Sequence, residues 1–415
     1  MRKILIITLI SLVLIIGGVY FFYFRPRVLS GQPVPNVLTS FFPKVTSSGN
    51  SFGADDTAVN PDGTPVTATA SKLKQLTPRP IAGYTAFDIS TAVSIPSIDP
   101  KVKPTVTTKT DYYVRYVGRT NGYVYEIKNN EIPLQISNIL IPNVYEAFFA
   151  DSNNTALLRF LRPDGQTIAT YSVPVPPLNP DNTRTQLSGV YLPDNIFSLA
   201  VSPDQKQIAR ITADDTGTTL SASTAAGKNI KALYKSPFNS WIPQWNASGI
   251  YLQTKAAASA NGYVYAVDQT AARLRRIVGN VNGLTTSVSP SGAYVLYSES
   301  ANSSFVTKVF NTKLGTTTTL SLKILPEKCT WLQNEDLICA GNNSVDNGAY
   351  PDAWYAGTTH FVDELYRITP NTNTYSVVFN DGARSFDMTN LQVDESQQYL
   401  YFVDKNTGIL WKYSY

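Results

Sequence analysis

The chain has 415 residues, with 34 Lys and Arg against 30 Asp and Glu and a formal net charge of +4 at pH 7. Arg2, Lys3, Arg25 and Arg27 flank one hydrophobic run, and the rest of the chain has as many basic as acidic residues. A neutral remainder offers no broad basic surface to phosphate backbones, so the composition argues against nucleic-acid binding. One His and two Cys argue against a His/Cys metal site, and we expect no cofactor.

The N-terminal hydrophobic run is long enough to cross a membrane. It spans residues 4–24 without a charge and ends in five consecutive aromatic residues. At about 1.5 Å rise per residue, such a helix covers a hydrocarbon core of about 30 Å. The following F-Y-F-R-P-R, residues 22–27, lacks the small residues of a signal-peptide cleavage site. We therefore interpret residues 1–27 as an uncleaved signal-anchor transmembrane helix rather than a buried core helix.

Residues 28–71 are rich in Pro, Ser, Thr and Gly and show no sustained period of 3.6 or 2. This composition predicts a flexible stalk. The stalk contains a formal G-x-S-x-G pattern at residues 49–53. A nucleophile elbow needs a strand before this pattern and a helix after it, and the sequence predicts neither.

Turn motifs recur at a regular spacing in the remaining chain. Residues 201–205 (V-S-P-D-Q), 245–249 (W-N-A-S-G) and 288–292 (V-S-P-S-G) each connect two short strands with alternating apolar residues. The step of about 43 residues is the length of a propeller blade. Three weaker copies and a seventh unit, found by comparing residues 75–87 with 135–149, complete the count. The sequence predicts an all-β, seven-bladed β-propeller over residues 72–415, with a two-sheet sandwich array as the alternative.

The last blade lacks one strand of its own. After Val393 the chain supplies strands at residues 398–403 and 408–413 and no further one. Residues 73–77 match the outer-strand pattern and precede the first blade. We expect this N-terminal strand to complete the last blade, which removes an exposed sheet edge.

The turn motifs resemble a known repeat family. Residues 201–210 (V-S-P-D-Q-K-Q-I-A-R) and 288–297 (V-S-P-S-G-A-Y-V-L-Y) are similar to the core of TolB-type propeller repeats, also called WD40-like PD40 repeats. The whole chain also resembles membrane-anchored bacterial propeller proteins. The shared motif is structural, so the resemblance implies a fold and no particular activity.

The two cysteines fall on the inner and second strands of the sixth blade. If Leu332 pairs with Asp336 across the turn, Cys329 and Cys339 lie directly opposite each other. Opposed residues of an antiparallel pair are close enough for a disulfide. We predict this disulfide, with two buried free thiols as the alternative. A disulfide favours an oxidising compartment, so we expect a single-pass protein of the cell membrane with an extracytoplasmic propeller.

Three segments exceed the blade period: residues 90–110, 174–193 and 342–359. We expect the first to separate two strands of blade one, the second to join blades two and three, and the third to interrupt blade six. On this reading the second and third share one face of the ring. The candidate partner-binding residues lie in or beside the third segment and are Tyr350, Asp352, Trp354, Tyr355 and His360. Trp and Tyr are frequent in binding hot spots, and the alternative is that these aromatics cap the blade locally.

These features favour a membrane-anchored, extracytoplasmic protein-binding or scaffolding module of the cell envelope over an enzyme. The expected partner is an envelope protein or a glycan. Six aspartates fall mainly at predicted strand-to-strand turns, where carboxylates bond nearby amides; they are Asp151, Asp204, Asp214, Asp215, Asp394 and Asp404. The alternative function is a glycan-binding protein or a glycosidase that uses paired carboxylates from different blades.

Overall fold

The computed structural model describes residues 72–95, 105–138, 140–175, 188–382 and 384–415. Within them lie seven four-stranded antiparallel sheets, which are the blades of a β-propeller. The predicted all-β, seven-bladed fold is therefore confirmed. The predicted transmembrane helix at residues 4–24 and the stalk at 28–71 lie outside the described residues. The described ranges contain no helical segment with the length and hydrophobicity of a membrane span.

The strands are numbered in chain order, and the first of them, β1 (Leu73–Gln75), belongs to the last blade. From inner to outer strand, blade one consists of β2 (Ile81–Ile95), β3 (Thr105–Gly118), β4 (Val124–Lys128) and β5 (Leu134–Gln135). Blade two consists of β6 (Glu146–Ala150), β7 (Thr155–Leu161), β8 (Ile168–Pro174) and β9 (Val190–Tyr191). Blade three consists of β10 (Ile196–Val201), β11 (Ile208–Asp214), β12 (Gly217–Ser223) and β13 (Lys231–Ser236). Blades four and five are formed by β14 (Trp241–Asn246), β15 (Gly249–Thr254), β16 (Asn261–Asp268) and β17 (Arg273–Asn282), and by β18 (Thr286–Val288), β19 (Tyr294–Ala301), β20 (Ser304–Asn311) and β21 (Thr316–Thr319). Blades six and seven are formed by β22 (Cys329–Trp331), β23 (Leu337–Gly341), β24 (Glu364–Thr369) and β25 (Thr374–Phe379), and by β26 (Met388–Asp394), β27 (Tyr399–Asp404) and β28 (Ile409–Ser414) with β1.

Apolar clusters between neighbouring blades hold the ring together. In the described part of the chain, each of the seven blade-to-blade interfaces has its own buried cluster. The second strands are buried on both faces because each is covered by the blades before and after it. In β7, for example, the five residues from Thr155 to Arg159 are all buried. Such strands read as apolar runs rather than as strict alternations.

The two ends of the propeller pair with each other. Leu73 lies opposite Tyr413 and Gln75 lies opposite Trp411. Beyond the strand, the Leu76 amide donates to the Leu410 carbonyl at 2.9 Å. The Leu410 amide in turn donates to the Thr77 hydroxyl at 3.1 Å. This is the pairing that the sequence predicted, and it covers the edge of the last sheet.

The structure changes the interpretation of two of the three long segments. In blade one, β2 and β3 continue as a two-stranded ribbon as far as Ile95 and Thr105. In blade two, the outer strand β9 lies inside the segment that we assigned to the link between blades. That segment thus falls between the third and outer strands of blade two, at the end of the sheet where the blade-one ribbon emerges. The prediction that it shares a face with the blade-six insertion is therefore wrong. The sequence analysis missed β9, because a strand of only two residues is too short to leave a recognisable sequence pattern.

The blade-six insertion lies where it was predicted, between the second and third strands, and occupies residues 342–363. It contains one short helix, Asp352–Tyr355, and a 3₁₀ turn at Pro326–Lys328 leads into the inner strand of the same blade.

Candidate functional site

The blade-six insertion folds over its own apolar cluster. Phe305, Leu325, Tyr350, Trp354 and Phe361 are all buried in this cluster. The ring centroids of Phe305 and Tyr350 are 4.9 Å apart, and those of Trp354 and Phe361 are 6.2 Å apart. The insertion is therefore an ordered part of the propeller with a core of its own.

A buried lysine lies beneath this aromatic cluster. Lys328 ends the 3₁₀ turn that precedes β22, and its side chain has no exposed surface. The ammonium nitrogen lies 2.7 Å from Asp363 Oδ2 and 2.5 Å from Asp387 Oδ1. It also lies 4.6 Å from the ring centroid of Phe361 and 5.3 Å from that of Trp354. Charges removed from water in this way require close partners.

The two aspartates of this group come from neighbouring blades. Asp363 directly precedes the third strand of blade six, and Asp387 directly precedes the inner strand of blade seven. Burial raises the pKa of Asp363 to about 6 and outweighs the opposing effects of Lys328 and of the Met388 amide. The Lys328, Asp363 and Asp387 side chains, here called the buried triad, thus join two blades through charge.

Contacts with other blades fix the insertion across one face of the ring. Asp352 Oδ2 accepts a hydrogen bond at 2.6 Å from the amide of Ala258, in the loop between β15 and β16 of blade four. Gly348 donates its amide to the Ser303 carbonyl of blade five at 2.7 Å. Lys405 of blade seven donates to the Trp354 carbonyl at 2.8 Å. The insertion therefore spans from blade four to blade seven.

The predicted partner-binding residues divide into a buried and an exposed group. Tyr350 and Trp354 are 1 % and 4 % exposed, so their rings form the local cap that we kept as the alternative. Asp352 is half-buried and holds the Ala258 amide. Tyr355 is 43 % exposed and His360 is exposed. Partner binding stays a prediction, and its accessible members are Tyr355 and His360.

The exposed Tyr355 ring has a fixed hydroxyl. Its oxygen donates to Glu327 Oε1. Burial raises the pKa of Glu327. The pKa of Tyr355 is raised because its hydroxyl, unlike the exposed part of the ring, is withdrawn from water beside Glu327. A side chain held at both its backbone and its tip loses little conformational freedom when a partner covers it, which favours affinity.

A small cavity lies beside the insertion. It has a volume of about 310 Å³ and lies against the loops of blades four and five. Its lining includes Ser259, Asn302, Ser303 and Ser304. The walls supply hydroxyl and amide groups and no charged side chain, in keeping with the neutral composition of this part of the chain.

One pair of carboxylates from different blades meets on the opposite face. The Ser396 hydroxyl lies 2.7 Å from Asp88 Oδ2 of blade one and 2.7 Å from Asp394 Oδ1 of blade seven. Burial raises the pKa of Asp88, with a further contribution from Asp394 and an opposing one from Ser396. Asp394 also accepts the amides of Ser396 and Gln397, as we expected of a turn carboxylate.

The predicted disulfide is present. Cys329 lies opposite Cys339 in the register of β22 and β23, with a Cα–Cα distance of 4.1 Å. Within the residues the structure describes, no group of three His, Cys, Asp or Glu side chains is placed to hold a metal ion.

The sequence analysis missed the buried triad. Lys328 and Asp387 are 59 residues apart along the chain, and Asp363 lies just beyond the boundary we gave to the insertion. The only trace in the sequence is that Asp363 and Asp387 each directly precede a strand of the structure, and single-sequence patterns do not connect such residues to a distant lysine.

Comparison with known proteins supports the fold. No protein-family model matches this chain, and no curated protein matches it in sequence. Among solved structures, prolyl oligopeptidase B from Galerina marginata is similar with a TM-score of 0.50 and 10% identity, covering 70% of this chain and 44% of that one. An oligogalacturonate lyase in complex with manganese is similar with a TM-score of 0.48 and 11% identity, covering 79% and 97%. TolB from Acinetobacter baumannii is similar with a TM-score of 0.39 and 10% identity, covering 79% and 80%. At identities of 10–11% such a likeness concerns the fold alone, so function must be argued from the site.

Proposed function

We propose that this protein is a binding or scaffolding module of the cell envelope. One membrane helix at residues 4–24 anchors it, and its propeller lies on the extracytoplasmic side. The observation that carries the proposal is the blade-six insertion, which is packed on a buried cluster and presents Tyr355 and His360 at its surface. Partner-binding residues are typically carried by loops that a rigid scaffold positions.

The chemistry of this surface favours recognition by shape and hydrogen bonding. Tyr355 offers a large ring with a fixed hydroxyl, and Val362 of the same insertion is 54 % exposed. Tyrosine is enriched among the residues that dominate binding energies at interfaces. The proposed partner is an envelope protein, or a glycan that stacks against the same ring.

A site-specific photo-crosslinker at position 355 of the full chain, expressed in its own host cells, tests the proposal. We expect a crosslinked partner from position 355 and none from position 375. Tyr375 is a matched control because it is 46 % exposed on the outer strand of the same blade. Tyr355→Ala should weaken capture of that partner at least tenfold and Tyr375→Ala should not. Equal capture by both variants would contradict the proposal.

A second measurement tests the orientation and the class of partner. Protease added to intact cells should degrade the propeller, whereas degradation only after lysis would contradict an extracytoplasmic location. Treatment of the crosslinked product with glycosidases distinguishes the partners, because only a glycan adduct should then lose mass.

A further inference from the structure

The buried triad places an amine and two carboxyl groups in contact where no water surrounds them. None of its three side chains has exposed surface. Condensation of an amine with a carboxylic acid requires both groups in their neutral forms. One proton moved from the Lys328 nitrogen to a contacting aspartate supplies both forms at once and leaves the net charge of the triad unchanged. Those are the forms in which an amine is nucleophilic and a carboxyl carbon is electrophilic.

The partners of the two aspartates decide which one takes the proton. Asp387 is held by the Trp354 indole N–H, which lies 3.1 and 3.0 Å from its two oxygens, and by the Phe361 amide at 3.4 Å. Both carboxylate oxygens of Asp387 therefore already accept hydrogen bonds from the insertion. Asp363 accepts the Met388 amide at Oδ2, while its buried Oδ1 has no hydrogen-bond partner among the described residues. Asp363 is the acid and Asp387 the base.

We propose that Lys328 and Asp363 condense into an intramolecular isopeptide bond, with Asp387 as the catalytic proton carrier. The neutral Lys328 nitrogen attacks Cγ of protonated Asp363, and the Met388 amide stabilises the negative charge that develops on Oδ2. Asp387 accepts a proton from the attacking nitrogen and delivers it to the hydroxyl oxygen Oδ1. The C–N bond forms, the C–Oδ1 bond breaks, and one water molecule leaves. The step needs no oxidant, reductant or cofactor.

The surroundings of the triad supply the two remaining requirements, which are the alignment of the reacting side chains and the exclusion of water. Each group of the triad directly precedes a strand, so the sheets of blades six and seven fix their positions. Such alignment replaces an encounter in solution, which is a large part of the barrier to condensation. The rings of Trp354 and Phe361 close the site on the side of the insertion, and water that would favour the ionised pair is excluded.

The bond would tie the inner strand of blade six to the residue before its third strand. The closed loop contains β23 and the whole insertion. Unlike the neighbouring Cys329–Cys339 disulfide, this link resists reductants. The inference concerns covalent structure and stands independently of the partner proposed above.

Peptide mapping of the full chain, purified from membranes in detergent, tests the bond. After reduction and tryptic digestion, an unlinked chain is cut after Lys328 into residues 324–328 and 329–367. A linked chain resists cleavage at the acylated lysine and gives one piece, residues 324–367, lighter by one water molecule. Lys308 and Glu299, a partly exposed pair, serve as an internal control and should give no such product.

Three variants separate condensation from simple pairing. Lys328→Arg keeps the charge and removes the nucleophile, so the mass loss should vanish. Asp387→Asn keeps the size and removes the proton carrier, so at least a tenfold drop in the linked fraction is expected. Asp363→Asn should lose ammonia instead of water and give a linked segment of the same mass as wild type. A wild-type segment of full mass, cleaved after Lys328, would overturn the proposal whether or not the variants fold.

Discussion

The indole nitrogen of Trp354 donates to both carboxylate oxygens of Asp387, at 3.1 and 3.0 Å. Trp354 belongs to the blade-six insertion, whereas Asp387 directly precedes the inner strand of blade seven. The contact is buried on both sides. The contact joins the blade-six insertion to blade seven of the propeller. We therefore expect the insertion to unfold together with the propeller rather than before it.

Trp354→Phe should show how much this hydrogen-bonded contact contributes to the free energy of unfolding. The variant keeps an aromatic ring and removes the N–H, so Asp387 loses a donor to both of its oxygens. We expect the free energy of unfolding to fall by about 1–3 kcal/mol, measured by urea denaturation. Trp241→Phe is the matched control, because Trp241 is similarly buried and its indole N–H bonds no acceptor among the described residues. An equal loss in both variants would assign the effect to ring volume.

Thr77→Val should weaken the closure of the ring. Thr77 is buried and its hydroxyl accepts the Leu410 amide, so the variant leaves that amide without a partner. We expect a loss of about 1–3 kcal/mol in the free energy of unfolding. Thr91→Val, an exposed threonine of the blade-one ribbon, should change it by less than about 0.5 kcal/mol. Loss of one blade while the rest unfolds at an unchanged urea concentration would contradict a cooperative ring.

Replacing both Cys329 and Cys339 by Ala should destabilise the propeller. The disulfide constrains the unfolded chain, and its removal is expected to cost about 2–4 kcal/mol. A reductant should lower the urea midpoint of the wild-type protein and leave that of the double variant unchanged. Alkylation of two thiols in the native protein without reductant would contradict the bond.

Lys412 should make stability depend on pH above neutrality. Burial, with repulsion from Lys74, lowers its pKa to about 8, whereas an unfolded lysine titrates near pH 10.4, about the usual value. The unfolded chain therefore binds more protons between these values, and the contribution of Lys412 to stability grows as the pH rises through this window and is lost as the pH falls through about 8.

We expect the free energy of unfolding to rise from pH 8 to pH 10 by up to about 1.4 kcal/mol per pH unit relative to Lys412→Met. Urea denaturation across this range measures the difference. Lys313→Met, at an exposed lysine, should keep the wild-type profile. Parallel profiles for wild type and Lys412→Met would show that the buried ammonium does not titrate in this window.

Sequence reasoning succeeded where the pattern is local and repeated. The turns at residues 201–205 and 288–292 predicted strand pairs that the structure contains as β10 with β11 and β18 with β19. The opposition of Cys329 and Cys339 followed from one turn at Leu332 and Asp336, and the Leu332 amide does donate to the Asp336 carbonyl at 2.8 Å. Hairpin register depends on a few adjacent residues, so a single sequence can specify it.

The sequence by itself determined the repeat, the number of blades, the strand that closes the ring and the disulfide. Only the tertiary structure decided that Trp354 is buried while Tyr355 is exposed, although the two are adjacent in one short helix. It also decided that Lys328 meets Asp363 and Asp387. Contacts between blades recur with the blade repeat, whereas the triad depends on how an insertion outside that repeat packs across two blades. Residues brought together by such packing share no spacing that a sequence pattern could reveal.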